Sequence, residues 1–232
     1  MIIHIKFITC LIFVFLAQIT PLMAQTEDQI DAFTKAAKFD DVSEVKSLLS
    51  KGISPNTLDP KGNPMLIVAI RDNSTKVVSL LLANSSTNVN LPNKSDETAL
   101  MMASIAGELV LGQQLVKGGA QINRPGWTPL HYACSTGKLN VAEYLVENGA
   151  NVNALSPSLT TPLMMAVNAG NEQTIKYLLD KGADLKLRNT AGYSAIDVAT
   201  LFGKEEIREG LISRWMKLYK EPYPGGPTKT PS

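Results

Sequence analysis

Apolar residues recur along this chain at helical spacing, without the alternation of a strand. Val141, Tyr144 and Leu145 share one face of a predicted helix, and Leu130 and Ala133 share a face of the helix before it. Further apolar runs at residues 77–82, 144–146 and 177–179 mark other copies of the second helix. Polar, Gly- and Pro-rich stretches separate the pairs and read as turns. The pattern predicts short helices in pairs.

The pairs repeat. Aligned on Thr128-Pro129-Leu130-His131-Tyr132-Ala133, related segments begin at Thr98, Thr161 and Ser194, with weaker copies at Pro64 and Asp31, all 30 to 34 residues apart. Thr128 suits an N-cap, its hydroxyl accepting a free amide of the first turn. Pro129 suits the first helical position, where its missing N–H costs nothing. Ala133 is small enough to let the second helix approach. Gly107, Gly137, Gly170 and Gly203 follow the motif alanine by four residues and turn the chain between the helices. Gly52, Gly119, Gly149 and Gly182 close the second helices, where a left-handed cap favours glycine. Asn56, Asn90, Asn123 and Asn153 recur just beyond that slot.

A helix pair of this size cannot bury its apolar face alone, so neighbours must stack. The pattern resembles the ankyrin repeat: residues 126–133 followed by 141–153 are nearly a consensus copy, and the period matches that family. The resemblance implies an all-α solenoid with short β-hairpin loops and about six helix-turn-helix units. They fall near residues 29–58, 59–92, 93–124, 125–155, 156–188 and 189–213 of an array spanning 25–213. Residues 214–232 are then a cap extension and tail. Leu211, Trp215 and Leu218 share a helical face that lids the last unit, and the Pro/Gly/Thr-rich residues 222–232 read as disordered.

Some copies depart from the pattern. Gly126 follows Asn123 by only three positions, against six from Asn56 to Gly62, so the row of hairpins is expected to have a notch after the third unit. Gly112 lies inside that unit's second helix, at a cost of about 1 kcal/mol against Ala, which makes unit three the expected weak seam. In unit two, Asn73 stands in the first glycine slot and Ser86 in the second.

Composition narrows the function classes. The 22 basic and 21 acidic residues give a net charge of +1, too little basic excess for a nucleic-acid binder. Residues 1–24 read as a cleaved signal peptide. They hold Lys6, an apolar run over 7–19 too short to span a bilayer, Pro21, and Ala24 at the cleavage point. The expected location is periplasmic or secreted, the alternative being an anchor by an uncleaved signal. Without that segment Cys134 is the one remaining cysteine and His131 the one histidine, so no internal disulfide and no Cys/His metal site is expected. Cys134 and the pairs Met101-Met102 and Met164-Met165 read as packing residues. No cofactor, no catalytic residue and no membrane contact after cleavage are expected, and the chain should be a monomer.

The resemblance to ankyrin repeats implies a protein partner held on the concave face of hairpin tips and first helices. Carried over slot by slot, that face is Asn63, Arg71, Asp72, Glu97, Ile105, Trp127, Ser135, Thr136, Thr160, Asn168, Tyr193, Leu201 and Phe202. Trp127 and Tyr193 occupy one slot two units apart, and exposed aromatics make good interface anchors. The expected function is a non-catalytic protein-binding module of the bacterial periplasm. Resemblance to exported bacterial members implies an alternative: an accessory factor for a periplasmic enzyme, such as a catalase or other haem protein in peroxide defence.

Overall fold

The computed structural model describes residues 25–226, so the signal peptide expected over 1–24 lies outside the described residues. Six consecutive helix pairs form six units. Unit one is α1 (Glu27–Lys38) and α2 (Val42–Ser50), unit two α3 (Met65–Arg71) and α4 (Thr75–Ala83). Unit three is α5 (Ala99–Ala106) and α6 (Leu109–Lys117), unit four α7 (Pro129–Ser135) and α8 (Leu139–Glu147). Unit five is α9 (Pro162–Ala169) and α10 (Glu172–Asp180), unit six α11 (Ala195–Leu201) and α12 (Glu205–Tyr219). The first helices pack in succession as an inner layer and the second helices form an outer one. One continuous core runs from Phe33 to Trp215. Among the described residues, no helix is long and apolar enough to cross a membrane.

Local chemistry sets the ends of the helices. Thr98 and Thr161 accept the amides of Met101 and Met164, and Pro129 and Pro162 open their helices at the first turn. The turn between the two helices of each unit needs a left-handed residue: Asp40, Asn73, Gly107, Gly137, Gly170 and Gly203 all have φ between 55° and 81°. Asp and Asn are the side chains that best tolerate that region, which explains how units one and two do without glycine. At the second slot Gly52, Gly119, Gly149 and Gly182 have φ near +90°. Ser86 does not follow them. Unit two instead ends with Asn84 extended, and the Thr87 hydroxyl donates to the Leu81 carbonyl at 2.6 Å, so a side chain serves the orphan carbonyl.

Hydrogen bonds tie each unit to the next. Asn56, Asn90, Asn123 and Asn153 form a ladder in which each amide donates to a backbone carbonyl of the following unit, at Ser86, Gly119, Gly149 and Gly182. Each also accepts a backbone N–H two residues farther on, at Asn88, Gln121, Asn151 and Asp184. Both faces of every rung amide are thus satisfied by the neighbouring chain.

The hairpin tips close on themselves. Asp59, Asn93, Ser156 and Asn189 bond backbone to backbone with Asn63, Glu97, Thr160 and Tyr193. Their side chains accept the N–H of the same partners. The only ladder pair among the described residues is an isolated bridge between Leu58 and Pro64. The third tip is cut short. In its place Arg124 reaches back to unit three, donating to the Asp96 carbonyl and carboxylate, both at 2.7 Å.

The C-terminal end differs from expectation in three ways. Helix α12 has 15 residues against nine in α10, so it crosses the boundary expected at residue 213 and overhangs the stack. Leu211 and Trp215 are buried as the lid requires, but Leu218 lies on the overhang and is 53% exposed. The tail is ordered through Gly226, where disorder was expected from residue 222. Tyr223 stands edge-on to Trp215 at 5.0 Å, its hydroxyl donates to Asp197 at 2.6 Å, and Arg188 donates to the Gly225 carbonyl at 3.1 Å. This strap supplies the last unit with contacts that a following hairpin would otherwise give.

Candidate functional site

The residues carried over from the repeat pattern fall into two rows with different fates. The first row follows the tips: Asn63, Glu97, Trp127, Thr160 and Tyr193. Four of these are the closing residues of the hairpins, and the fold uses them. Asn63 is 8% exposed, with its amide on both Asp59 oxygens, so it is withdrawn from the surface where it was expected. Burial works against the charge on Asp59, but the N–H groups of Asn63 and Lys61 outweigh it and hold the carboxyl below its usual pKa. Glu97 accepts from the Asn93 amide and, at 3.1 Å, from the Tyr132 hydroxyl. Burial and the adjacent Glu97 carboxylate push Tyr132 up to about 12, which keeps it a donor. Thr160 is half-buried, its backbone carbonyl facing His131.

Trp127 is half-buried too, its ring edge-on to His131 with centroids 5.2 Å apart. Part of its surface stays free. Tyr193 packs partly against the core and lines an open groove of about 590 Å³ between α11, α12 and the strap.

His131 sits at the centre of this tip chemistry. The Thr128 amide donates to Nδ1 at 3.2 Å, which leaves the proton on Nε2 to donate to the Thr160 carbonyl at 2.9 Å. Burial lowers its pKa below the ordinary 6.5, so the ring is neutral and structural. Cys134 is fully buried, which pushes its thiol pKa far up, the reverse of what a reactive thiolate needs. Met101 and Met164 are buried and fill the slot that His131 fills in unit four.

The second row runs along the C-terminal ends of the inner helices, and it stays open. Arg71, Asp72, Thr136, Asn168, Leu201 and Phe202 are exposed, as is Ile105, while Ser135 is half-buried and donates to the Tyr132 carbonyl. Asp72, Thr136 and Phe202 are all cap residues of their helices. The cap of α1 is Phe39, which belongs to the same row and was missed from the sequence. Its signal was available: with the first copy in register at Asp31, counting back one period from Asp72 lands on it. Phe39 is 74% exposed and Phe202 51%, so the row carries a phenylalanine at each end.

Models of the ankyrin-repeat family match residues 33–82, 82–156 and 145–199, covering the stack from α1 into α11. The chain belongs to the ankyrin-repeat family. It is 41% identical over 75 residues to the Notch-regulated ankyrin repeat-containing protein of Xenopus laevis, a match covering 30% of this chain and 66% of that protein. It is 30% identical over 105 residues to the human transient receptor potential cation channel subfamily A member 1, covering 44% of this chain and 9% of that one. Against the chicken nuclear factor NF-kappa-B p105 subunit it is 31% identical over 115 residues, or 47% of this chain and 11% of that protein. The matched segment is therefore about a tenth of the two long relatives and just under two thirds of the short one. Ankyrin repeats are protein–protein interaction modules, and their fold places the open row of cap residues on the face the inner helices share.

Proposed function

We propose that this chain is an exported, non-catalytic protein-binding module of the bacterial periplasm, which takes its partner along the open row at the ends of the inner helices. The observation that carries the reading is the pair of exposed phenylalanines, Phe39 and Phe202, in one slot at opposite ends of that row. The stack spends the tip row on closing its own hairpins, while the cap row keeps apolar surface that no neighbour covers. Trp127 adds a partly free aromatic between the two. Export is supported by Lys6, the apolar run over residues 7–19 and Ala24.

The test is in-cell crosslinking in the envelope with mass spectrometry of the captured protein, comparing the natural chain with Phe39→Ala/Phe202→Ala. Both side chains are exposed, so the double variant should melt with the natural protein and lose the partner. Undiminished capture would remove the row as the binding face. N-terminal sequencing of the protein from the same fractions should start at Gln25, and an intact Met1 in the membrane fraction would replace export by anchoring.

A further inference from the structure

The chain holds one Asn-Gly pair, Asn148–Gly149, and the fold puts it at the end of α8. Asn148 is the C-cap of that helix, and Gly149 follows it in the left-handed region at φ 91°. The other copies fill the position before this glycine differently: Lys51, Gly118 and Lys181 precede Gly52, Gly119 and Gly182. The turn demands the glycine but not the asparagine. The asparagine brings a chemistry that the other copies lack, because its carboxamide carbon can close a five-membered ring with the next backbone nitrogen. A glycine in the next position has no side chain to crowd that approach. Both residues are exposed, and nothing lies within 4 Å of where a Cβ on Gly149 would stand.

We propose that Asn148–Gly149 is a site of spontaneous covalent modification whose product releases a tie between units three and four. The Gly149 nitrogen gives its proton to solvent and bonds to Cγ of Asn148. The side-chain amide nitrogen takes a proton from solvent and leaves as ammonia. The cyclic imide then takes up one water. Breaking its Cγ–N bond restores the main chain with aspartate at position 148. Breaking the bond from the backbone carbonyl routes the chain through Cβ and Cγ, as isoaspartate. One water is consumed and one ammonia released, with no change of oxidation state.

The folded chain sets the pace. The Gly149 N–H donates to the Val146 carbonyl at 3.0 Å, and the Asn148 side-chain amide donates to the Tyr144 carbonyl at 2.8 Å. Asn148 is held near helical values, φ −97° and ψ 20°, so ring closure waits until this turn opens. The Asn123 rung is a further tie, donating to the Gly149 carbonyl at 2.7 Å and accepting from the Asn151 N–H. The products act on the same ties. Isoaspartate lengthens the main chain by a methylene, which moves Gly149 and Ala150 off the Val146 and Leu145 carbonyls and the Gly149 carbonyl off Asn123. Either product puts a negative charge beside exposed Glu147 at the C-terminus of α8, where the helix dipole opposes it.

The test ages the full chain without its signal in mildly alkaline buffer and follows the tryptic peptide of residues 139–176 by mass spectrometry with fragmentation. Position 148 should convert ahead of every other asparagine, read as the mass difference between an amide and a carboxyl group. Asn148→Lys, the residue of units one and five, should fold alike and form no product there. Asn123→Ala should speed the conversion about fivefold, because about one net hydrogen bond less holds the turn closed. The chain unfolded in urea should convert faster still. The converted fraction, separated by its extra negative charge, should melt about 2 to 4 °C below the natural chain. No conversion of the folded chain, conversion spread evenly over the asparagines, a rate indifferent to Asn123→Ala, or an unshifted melt would overturn the proposal.

Discussion

On the side of unit four, α5 lies along α7 in the most extensive helix contact of the molecule. Arg124 grips Asp96 across the shortened tip, and Tyr132 holds Glu97. On the side of unit two, α3 and α5 touch and the Asn90 rung is complete, but α4 and α6 scarcely meet. A gap of about 470 Å³ opens beneath them, with Val110 67% exposed at its edge. The seam expected at unit three is therefore one-sided. The missing residues between Asn123 and Gly126 do not weaken the stack there, because an arginine side chain does the work of the lost tip. Looseness collects on the other side, in the outer layer, where unit two has Asn73 and Ser86 in its glycine slots and α6 carries Gly112.

The largest effect should come from loosening the tight side at its root. His131 fixes the start of α7 by satisfying the Thr128 amide and reaching the Thr160 carbonyl. Replacing it with alanine orphans both buried groups and leaves a cavity, at a cost of about 3 kcal/mol in chemical denaturation. His131→Met should cost less, since Met101 and Met164 fill the same slot in units three and five. The ring also makes stability depend on pH. Burial lowers its folded pKa below 6.5, so the unfolded chain takes the proton first. The contribution is complete above about pH 6.5 and is lost as pH falls below it, and His131→Met should flatten that part of the profile. A variant with the same acid sensitivity would show that His131 is not the titrating group.

The slots that recur with one residue type were readable in the sequence, because the fold asks the same thing of each copy. The Thr128–Pro129 helix start, the two left-handed positions and the asparagine rungs are of this kind. The rest depends on partners that only the folded chain supplies. The residues bracketing the tips are Asp59, Asn93, Ser156 and Asn189, three different types with one job, so no single-letter repeat reveals them. The strap reads as disordered from its Pro and Gly content, yet Tyr223 finds Asp197, Ser194 and Trp215 waiting at the end of the stack. Of the candidate site, the exposed cap row could be read by counting periods, and the same count reaches Phe39, which was not carried over. The tip row was assigned to a partner because sequence spacing cannot tell a side chain that faces solvent from one that closes its own hairpin.

The rungs offer an intermediate test, because the same residue type spans both sides of unit three. Asn90→Ala and Asn123→Ala each remove two hydrogen bonds to the next unit, worth about 1 to 2 kcal/mol in total. The stability of a repeat array is set by its units and the interfaces between neighbours. Without Asn90, α3–α5 packing is the main contact joining units one and two to the rest, so calorimetry should resolve a separate early transition for the N-terminal pair. Without Asn123 the α5–α7 contact and the Arg124 grip remain, so melting should stay a single transition at lower temperature. Single transitions in both variants would mean that the two sides couple equally well and that the gap under α4 and α6 has no energetic consequence.

The smallest change should raise stability, and it separates the unit from its interfaces. Gly112 is helical, without a left-handed φ, and a Cβ built on it meets only Leu100 Cδ1 at 3.8 Å, an ordinary contact within unit three. Neither backbone nor packing requires glycine there. Gly112→Ala should therefore gain up to about 1 kcal/mol from helix propensity, which for a chain of this size raises the melting temperature by about 2 to 4 °C. The added methyl faces α5 of the same unit, so it should not close the gap to α4. Hydrogen exchange should slow along α6 while α4 is unchanged. If α4 became equally protected, the looseness on that side would come from α6 fraying at its glycine. If only α6 responds, the gap is set by how units two and three sit on each other, and filling a helix cannot remove it.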